Sequence, residues 1–119
     1  SGAKIKGDYL VVEGAKDKGI SAGENSDVII KNINVSGAKV GIAVKDGSKA
    51  WFSNIDLKNN IYDLAAYNKK KEYEAPIMNI EKIQYESKQI LQSFNSLVTI
   101  DQKKLKGIFD NKYIKSILY

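Results

Sequence analysis

Gly41-Ile42-Ala43-Val44-Lys45-Asp46-Gly47-Ser48 restates Gly19-Ile20-Ser21-Ala22-Gly23-Glu24-Asn25-Ser26 after an interval of 22 residues, and Asp63-Leu64-Ala65-Ala66-Tyr67-Asn68-Lys69-Lys70 restates it more loosely. Asn32-Ile33-Asn34-Val35 returns at the same interval as Asn54-Ile55-Asp56-Leu57. A fixed period of this size marks a repeat architecture, in which each copy is one structural unit that buries its apolar face by stacking on the next. Within the copies the apolar residues alternate: Val28/Ile30, Ile33/Val35, Ile55/Leu57 and Ile80 read as short strands of period two. The alternation slips by one residue at Lys31-Asn32 and again at Ser53-Asn54, the same place in successive copies. A two-residue corner recurring in every copy is what a coil of parallel strands requires, with rungs stacked about 4.8 Å apart.

The chain divides on this basis into a lead-in segment, 4–14, and four copies: 15–26 (partial), 27–48, 49–75 and 76–96. The third copy is longer by about five residues, and the surplus is Asn68-Lys69-Lys70-Lys71-Glu72-Tyr73-Glu74. That surplus reads as a loop pushed out of one corner, and in solenoids such insertions gather on one face, often the binding face. Residues 1–96 are therefore expected to form rungs. Residues 97–119, where Leu105, Ile108, Phe109, Tyr113, Ile114, Ile117 and Leu118 crowd together, are expected to supply a closing strand and an amphipathic cap over the open end, because bare strand edges invite aggregation. The start shows no equivalent cover. Ile5, Tyr9, Val11 and Val12 read as another strand-bearing rung, the C-terminal piece of a longer helix; the alternative is that Tyr9 and Leu10 make a small cap of their own.

Composition limits the chemistry. A chain of 119 residues is one domain with room for a core. Cysteine is absent, so redox chemistry says nothing of compartment. No apolar run approaches the roughly 18 residues of a membrane span, and the N-terminus lacks a signal peptide's apolar stretch. Ser1-Gly2-Ala3 reads as a cut point from which a signal could have been removed. All 19 basic residues are lysines. Arginine, the usual bidentate reader of phosphate and of base edges, is missing, so nucleic acid is not an expected partner. Missing histidine and cysteine exclude the ordinary nucleophilic triads. The net charge of +5 can attract an anionic polymer, although lysines also solvate turns and block edge pairing.

Asp17 to Ser26, Gly41 to Ser48 and Ala65 to Tyr73 resemble the repeats of right-handed parallel β-helix proteins of the pectate-lyase-like superfamily. More narrowly they look like the C-terminal β-helix of bacterial multidomain surface or secreted proteins, some of which also carry a spore-coat-type kinase or lamin-tail domain. The resemblance covers residues 15–75 well and the tail weakly. It implies an all-β right-handed parallel β-helix (solenoid) of about five rungs with a C-terminal cap, and a bacterial extracellular or cell-surface location. It does not imply an activity, since the architecture carries lyases, hydrolases, adhesins and scaffolds. Enzymes of that superfamily use an arginine or lysine base with calcium-binding aspartates, or clustered aspartates, and neither pattern maps onto any position here. No catalytic residue is therefore assigned.

Four groups of residues remain as candidates. Asn32 and Asn54, 22 residues apart at one corner, read as a structural asparagine ladder. Glu24 and Asp46 share the same offset; they are the candidate calcium ligands or acid pair, against the plainer reading of a charged turn ladder with Lys45 and Lys69 between. No other cofactor is expected. The loop carrying Tyr67, Lys69, Lys70, Glu72 and Tyr73 joins aromatic faces suited to sugar rings with charges suited to acidic polymers. Trp51 is expected to point outward as a sugar platform, leaving Phe52 in the core. The resulting expectation is a non-catalytic scaffold or interaction module that engages polysaccharide. One alternative is a fragment of a polysaccharide lyase or glycoside hydrolase. Another is an oligomerisation element in which the open N-terminal rung pairs with a second chain.

Overall fold

The computed structural model describes residues 2–119; Ser1, part of the cut-point reading, lies outside them. The elements are β1 (Lys4–Glu13), β2 (Lys18–Ala22), β3 (Asp27–Ser36), β4 (Val40–Lys45), β5 (Lys49–Lys58), β6 (Tyr62–Tyr67), β7 (Ile77–Tyr85), β8 (Ile90–Gln92), β9 (Leu97–Ile100), β10 (Lys103–Leu105) and α1 (Asn111–Leu118). Odd and even strands separate into two sheets, β1-β3-β5-β7-β9-β10 and β2-β4-β6-β8. Every neighbouring pair is parallel except β9 and β10. The chain is an all-β parallel solenoid of about four turns. The first sheet has five parallel strands; after the fifth the chain doubles back as β10 rather than supplying another strand to the second sheet.

Stacking puts like on like. Ile33 pairs with Ile55 and Ile55 with Ile83; Val35 pairs with Leu57 and Leu57 with Tyr85. In the second sheet Ile42 pairs with Leu64, and Val44 with Ala66. These inward columns, with Val28, Ile30, Phe52, Met78, Ile80 and Val98, form one core between the sheets. Gly41 shows how closely the rungs approach: a Cβ there would lie 2.7 Å from the carbonyl oxygen of Asp63 on the next rung.

The slips in alternation are single residues in the left-handed region, inside strands that continue through them. Tyr9, Asn32, Asn54 and Lys82, with φ of 89°, 58°, 55° and 57°, form one column. Glu24-Asn25 and Asp46-Gly47 form a second, and Gly14, Gly37 and Asn59 a third. Left-handed backbone costs an ordinary side chain roughly 1–2 kcal/mol; asparagine and aspartate tolerate it better because their short polar side chains bond locally. The asparagine side chains also bond one another: Asn54 Nδ2 donates to Asn32 Oδ1 at 2.6 Å, and Asn32 Nδ2 to Asp8 Oδ1 at 2.7 Å. This ladder lies on the outside of the coil rather than in a buried turn.

The C-terminal segment is arranged differently from the expected end cap. Leu105 of β10 packs against the core at the last rung. Helix α1, capped by Asp110, whose side chain accepts from the Tyr113 amide at 2.7 Å, lies instead against the outer face of the second sheet. There Ile114 and Leu118 pack on Ala43, Ala65, Tyr67 and Leu91, which alternate with the inward columns, and on Val40 at the start of β4. The small side chains Ala43 and Ala65 leave room for a helix at this face. Asp17 pairs with its neighbour Lys18, and Lys39 donates to the carbonyl of Ile117, tying the helix down.

Asn54→Val places a β-branched side chain at φ 55°. The expected loss is about 2–3 kcal/mol, from the backbone strain together with the lost ladder bond. Asn54→Gly, which removes only the bond, is expected within about 1 kcal/mol of the parent chain. Urea denaturation followed by circular dichroism separates them; equal losses would mean that the amide, not the backbone, is what the position requires.

Candidate functional site

Two surfaces follow from this architecture: the 68–74 insertion and the outer face of the first sheet. The insertion is held from within. Asn68, buried at the end of β6, donates through Nδ2 to the carbonyls of Tyr73 and Glu74, both at 3.0 Å. Asp46, 1 % exposed, accepts the backbone amides of both Lys69 and Lys70 at 2.9 Å through one carboxylate oxygen. Glu24 accepts from Lys70 Nζ at 2.7 Å and from the Tyr73 hydroxyl at 3.2 Å. Glu24 and Asp46 thus act as two anchors of the loop. Among the described residues no three Asp or Glu side chains gather in a way that could hold a metal ion.

This geometry revises the expected ligand face. Tyr67 has no exposed surface. Its hydroxyl meets that of Tyr119 at 2.6 Å, and its ring forms part of the apolar layer under α1, so it cannot stack on a sugar. Burial, together with this hydrogen bond, pushes its hydroxyl far above the ordinary tyrosine range. Lys69 Nζ sits 4.6 Å from the Tyr119 ring centre, a cation–π contact. Lys70 and Tyr73 are engaged with Glu24. Of the residues expected to contact ligand here, Lys69, Lys70 and Glu72 remain exposed, the two lysines in contact with Tyr119 and Glu24.

The outer face of the first sheet offers more. Trp51 projects outward, 45 % exposed, next to Ile29 on the preceding rung and Asn79 on the following one, while Phe52 is buried. Around the left-handed corner, Asn34, Asp56 and Gln84 stack in register on successive rungs. With Asn32, Asn54 and Lys82 they line an open groove of about 720 Å³ that runs from Tyr9 at one end to Asp101 at the other. Asp101 also accepts the Lys82 amide at 2.9 Å, holding that corner where no asparagine is present. Tyr9, exposed and in the left-handed region, presents its ring at the groove's N-terminal end.

Sequence reading missed this groove, although Asn34, Asp56 and Gln84 are outward positions two residues past the corner. It also missed Asn60, a buried support. Asn60 accepts the Ala38 amide at 2.9 Å and donates to the Val35 carbonyl at 3.2 Å, joining two rungs. Asn60 has no asparagine 22 residues before or after it, so periodicity could not reveal it. Asp63, also buried, accepts the Lys88 amide at 2.9 Å.

The fold and this surface define the class of protein as a β-solenoid with an axial polar groove. No family model, curated protein or solved structure matches the chain. Among the described residues no helix is long and apolar enough to cross a membrane.

The Glu24–Lys70 contact sets a pH window. The hydrogen bond and charge of Lys70 hold the Glu24 carboxyl below the usual glutamate range, and the same contact raises the Lys70 ammonium above the usual lysine range. Because Glu24 is depressed, its contribution is present above the unfolded value and is lost as pH falls through the folded one. Because Lys70 is raised, its contribution is present below the unfolded value and is lost as pH rises through the folded one. The loop contact is therefore closed throughout the neutral range. NMR titration of the Glu24 carboxyl is expected to give a midpoint below that of a solvated glutamate, and Lys70→Ala is expected to move it upward; an unmoved midpoint would remove Lys70 as the cause. Asp46→Ala, which leaves two amides without their acceptor, is expected to cost about 2–3 kcal/mol. Hydrogen exchange at Lys69 and Lys70 should accelerate together. Protected amides in that variant would show that the loop is held by other contacts.

Proposed function

We propose that this chain is a non-catalytic β-solenoid interaction module that binds a neutral polysaccharide along the axial groove of its first sheet. The observation that carries the reading is the in-register stacking of Asn34, Asp56 and Gln84 beside Asn32 and Asn54, with the exposed ring of Tyr9 at the groove's end. Amides and carboxylates both suit sugar hydroxyls, and a tyrosine face suits the apolar face of a sugar ring. Rungs repeat at about 4.8 Å, a step comparable to one sugar unit, so successive rungs meet successive units of a chain. The groove mixes Asp56 and Asp101 with Lys82, which favours a neutral polymer over a strongly anionic one. Trp51, outside the groove on the same sheet, is the second aromatic platform in this reading.

The 22-residue period and the recurring left-handed corner support kinship with the pectate-lyase-like parallel β-helices, and with it a place at a bacterial surface or outside the cell. The enzyme reading loses support, because Asp46 and Glu24 are occupied in holding the insertion rather than facing a substrate together.

A panel of neutral and acidic polysaccharides, scored in the same wells for binding and for new chain ends, tests the proposal. Binding without cleavage is expected for at least one neutral member. Tyr9→Ala and Gln84→Ala are each expected to weaken it about tenfold, the size of one lost stacking or hydrogen-bonding contact. Lys71→Ala on the insertion should leave it unchanged. Absence of binding throughout the panel would overturn the reading, and new chain ends would replace it with the enzyme.

A further inference from the structure

We propose that the end of the coil at β9 and β10 docks on an anionic lipid bilayer. Phe94 and Ile108 enter the headgroup layer, and Lys103, Lys104, Lys106 and Lys112 face the lipid phosphates. Three segments meet at this end and brace one another. Phe94 donates its amide to the Phe109 carbonyl at 2.8 Å, and Ser93 bridges Phe109. Gly107 lies so close that a Cβ on it would run into the Ser93 carbonyl oxygen. The Phe109 ring stacks on that of Tyr113 at the start of α1, with 5.0 Å between centres. From this braced backbone Phe94 projects 67 % exposed and Ile108 64 %, while Leu105 and Phe109 beside them are partly covered. The chain itself makes this end by turning back at β10. Helix α1 then leads away along the side of the coil, to where Tyr119 bonds Tyr67 and meets Lys18 of β2.

Charge and side-chain type select a bilayer over another protein. Between residues 101 and 113 four lysines stand against two aspartates. Both aspartates are occupied with backbone amides, Asp101 with that of Lys82 and Asp110 with that of Tyr113. The four lysines are exposed, and among the described residues none of them pairs with a carboxylate. Lysine is depleted at protein interfaces, whose anchors are tryptophan, tyrosine and arginine. At a bilayer the same set is favourable. An aromatic ring and an aliphatic tip bury apolar area in the interface, while lysines lay their stems along apolar groups and keep their charge among anionic headgroups. Phe94, Leu97 and Leu105 line an open hollow of about 480 Å³ together with Lys104 and Lys106, so the apolar and cationic groups form one patch. This patch lies outside the proposed polysaccharide groove, and neither reading depends on the other.

Co-sedimentation of the 119-residue chain with vesicles of phosphatidylcholine, alone or mixed with phosphatidylserine, is the test. Binding to the mixed vesicles is expected, and at least tenfold weaker binding to phosphatidylcholine alone. Phe94→Ala and Ile108→Ala are each expected to weaken binding about tenfold, and Lys104→Ala and Lys106→Ala about fivefold. Lys71→Ala, on the insertion, should leave it within about twofold of the parent. Both apolar side chains are mostly exposed, so their variants are expected to melt with the parent chain. Trp51, the single tryptophan, lies on the outer face of the first sheet two rungs from this end. Docking by the end leaves its emission unshifted on vesicles, whereas Phe94→Trp adds a blue-shifted component. Failure to bind the mixed vesicles, or equal binding to both kinds, overturns the proposal. So does binding that ignores Phe94→Ala and Ile108→Ala, which would be charge attraction alone. A blue shift of Trp51 in the parent chain would overturn it too, by placing the sheet face rather than the end in the lipid.

Discussion

Backbone in the left-handed region at three columns of corners is the constraint on which the structure depends. A parallel strand can stack on the next rung only if the chain turns at the same residue each time, and ordinary side chains resist the turning conformation. Here Asn32 and Asn54 lower that cost by bonding one another along the coil, and glycines or acidic and amide side chains occupy most of the other corner positions. Lys82 and Tyr9 are the exceptions in the first column. At Lys82 the carboxylate of Asp101 bonds the backbone amide directly. The period is thus a statement about where the backbone can turn, and the core columns follow from it.

The insertion shows how the second column was put to further use. Glu24 and Asp46 occupy left-handed positions one rung apart, and both side chains reach the insertion after β6. Asp46 meets the first two amides of the extruded loop, and Glu24 meets the ammonium of Lys70 and the hydroxyl of Tyr73. A buried carboxylate without partners is costly; two amide donors satisfy this one. Among the described residues no buried side-chain polar atom is left without a partner. The same corner chemistry that turns the chain therefore also fixes the loop: Tyr67, expected on the sugar-binding face, is buried, and Lys70 and Tyr73 bond Glu24.

Legibility in the sequence tracked periodicity. The strands, their register and the corner at Asn32 and Asn54 could be read because each recurs 22 residues on. Trp51 could be placed outward because Phe52 beside it falls on the inward beat. The failures lie where a residue acts once. Tyr67 continues a repeat position, yet it is buried because α1, from far along the chain, covers the outer face of the second sheet. The helix could be recognised as amphipathic, but nothing local told the end of the coil from its side. That choice was made by Ala43 and Ala65, whose small side chains leave an apolar bed on a sheet that would otherwise face water. The groove escaped for a third reason: Asn34, Asp56 and Gln84 differ in identity, so their column emerges only from register.

Translational repetition has a consequence for recognition. A site built from one rung contributes a few exposed hydrogen bonds, each worth little against water. Stacked rungs present a polar side chain again at each step, and a ligand that itself repeats gains every contact after paying once for orientation. A small molecule would use one rung of the groove and leave the rest solvated. For the polysaccharide proposed here, the extension of the groove over successive rungs makes its length the property on which affinity would depend.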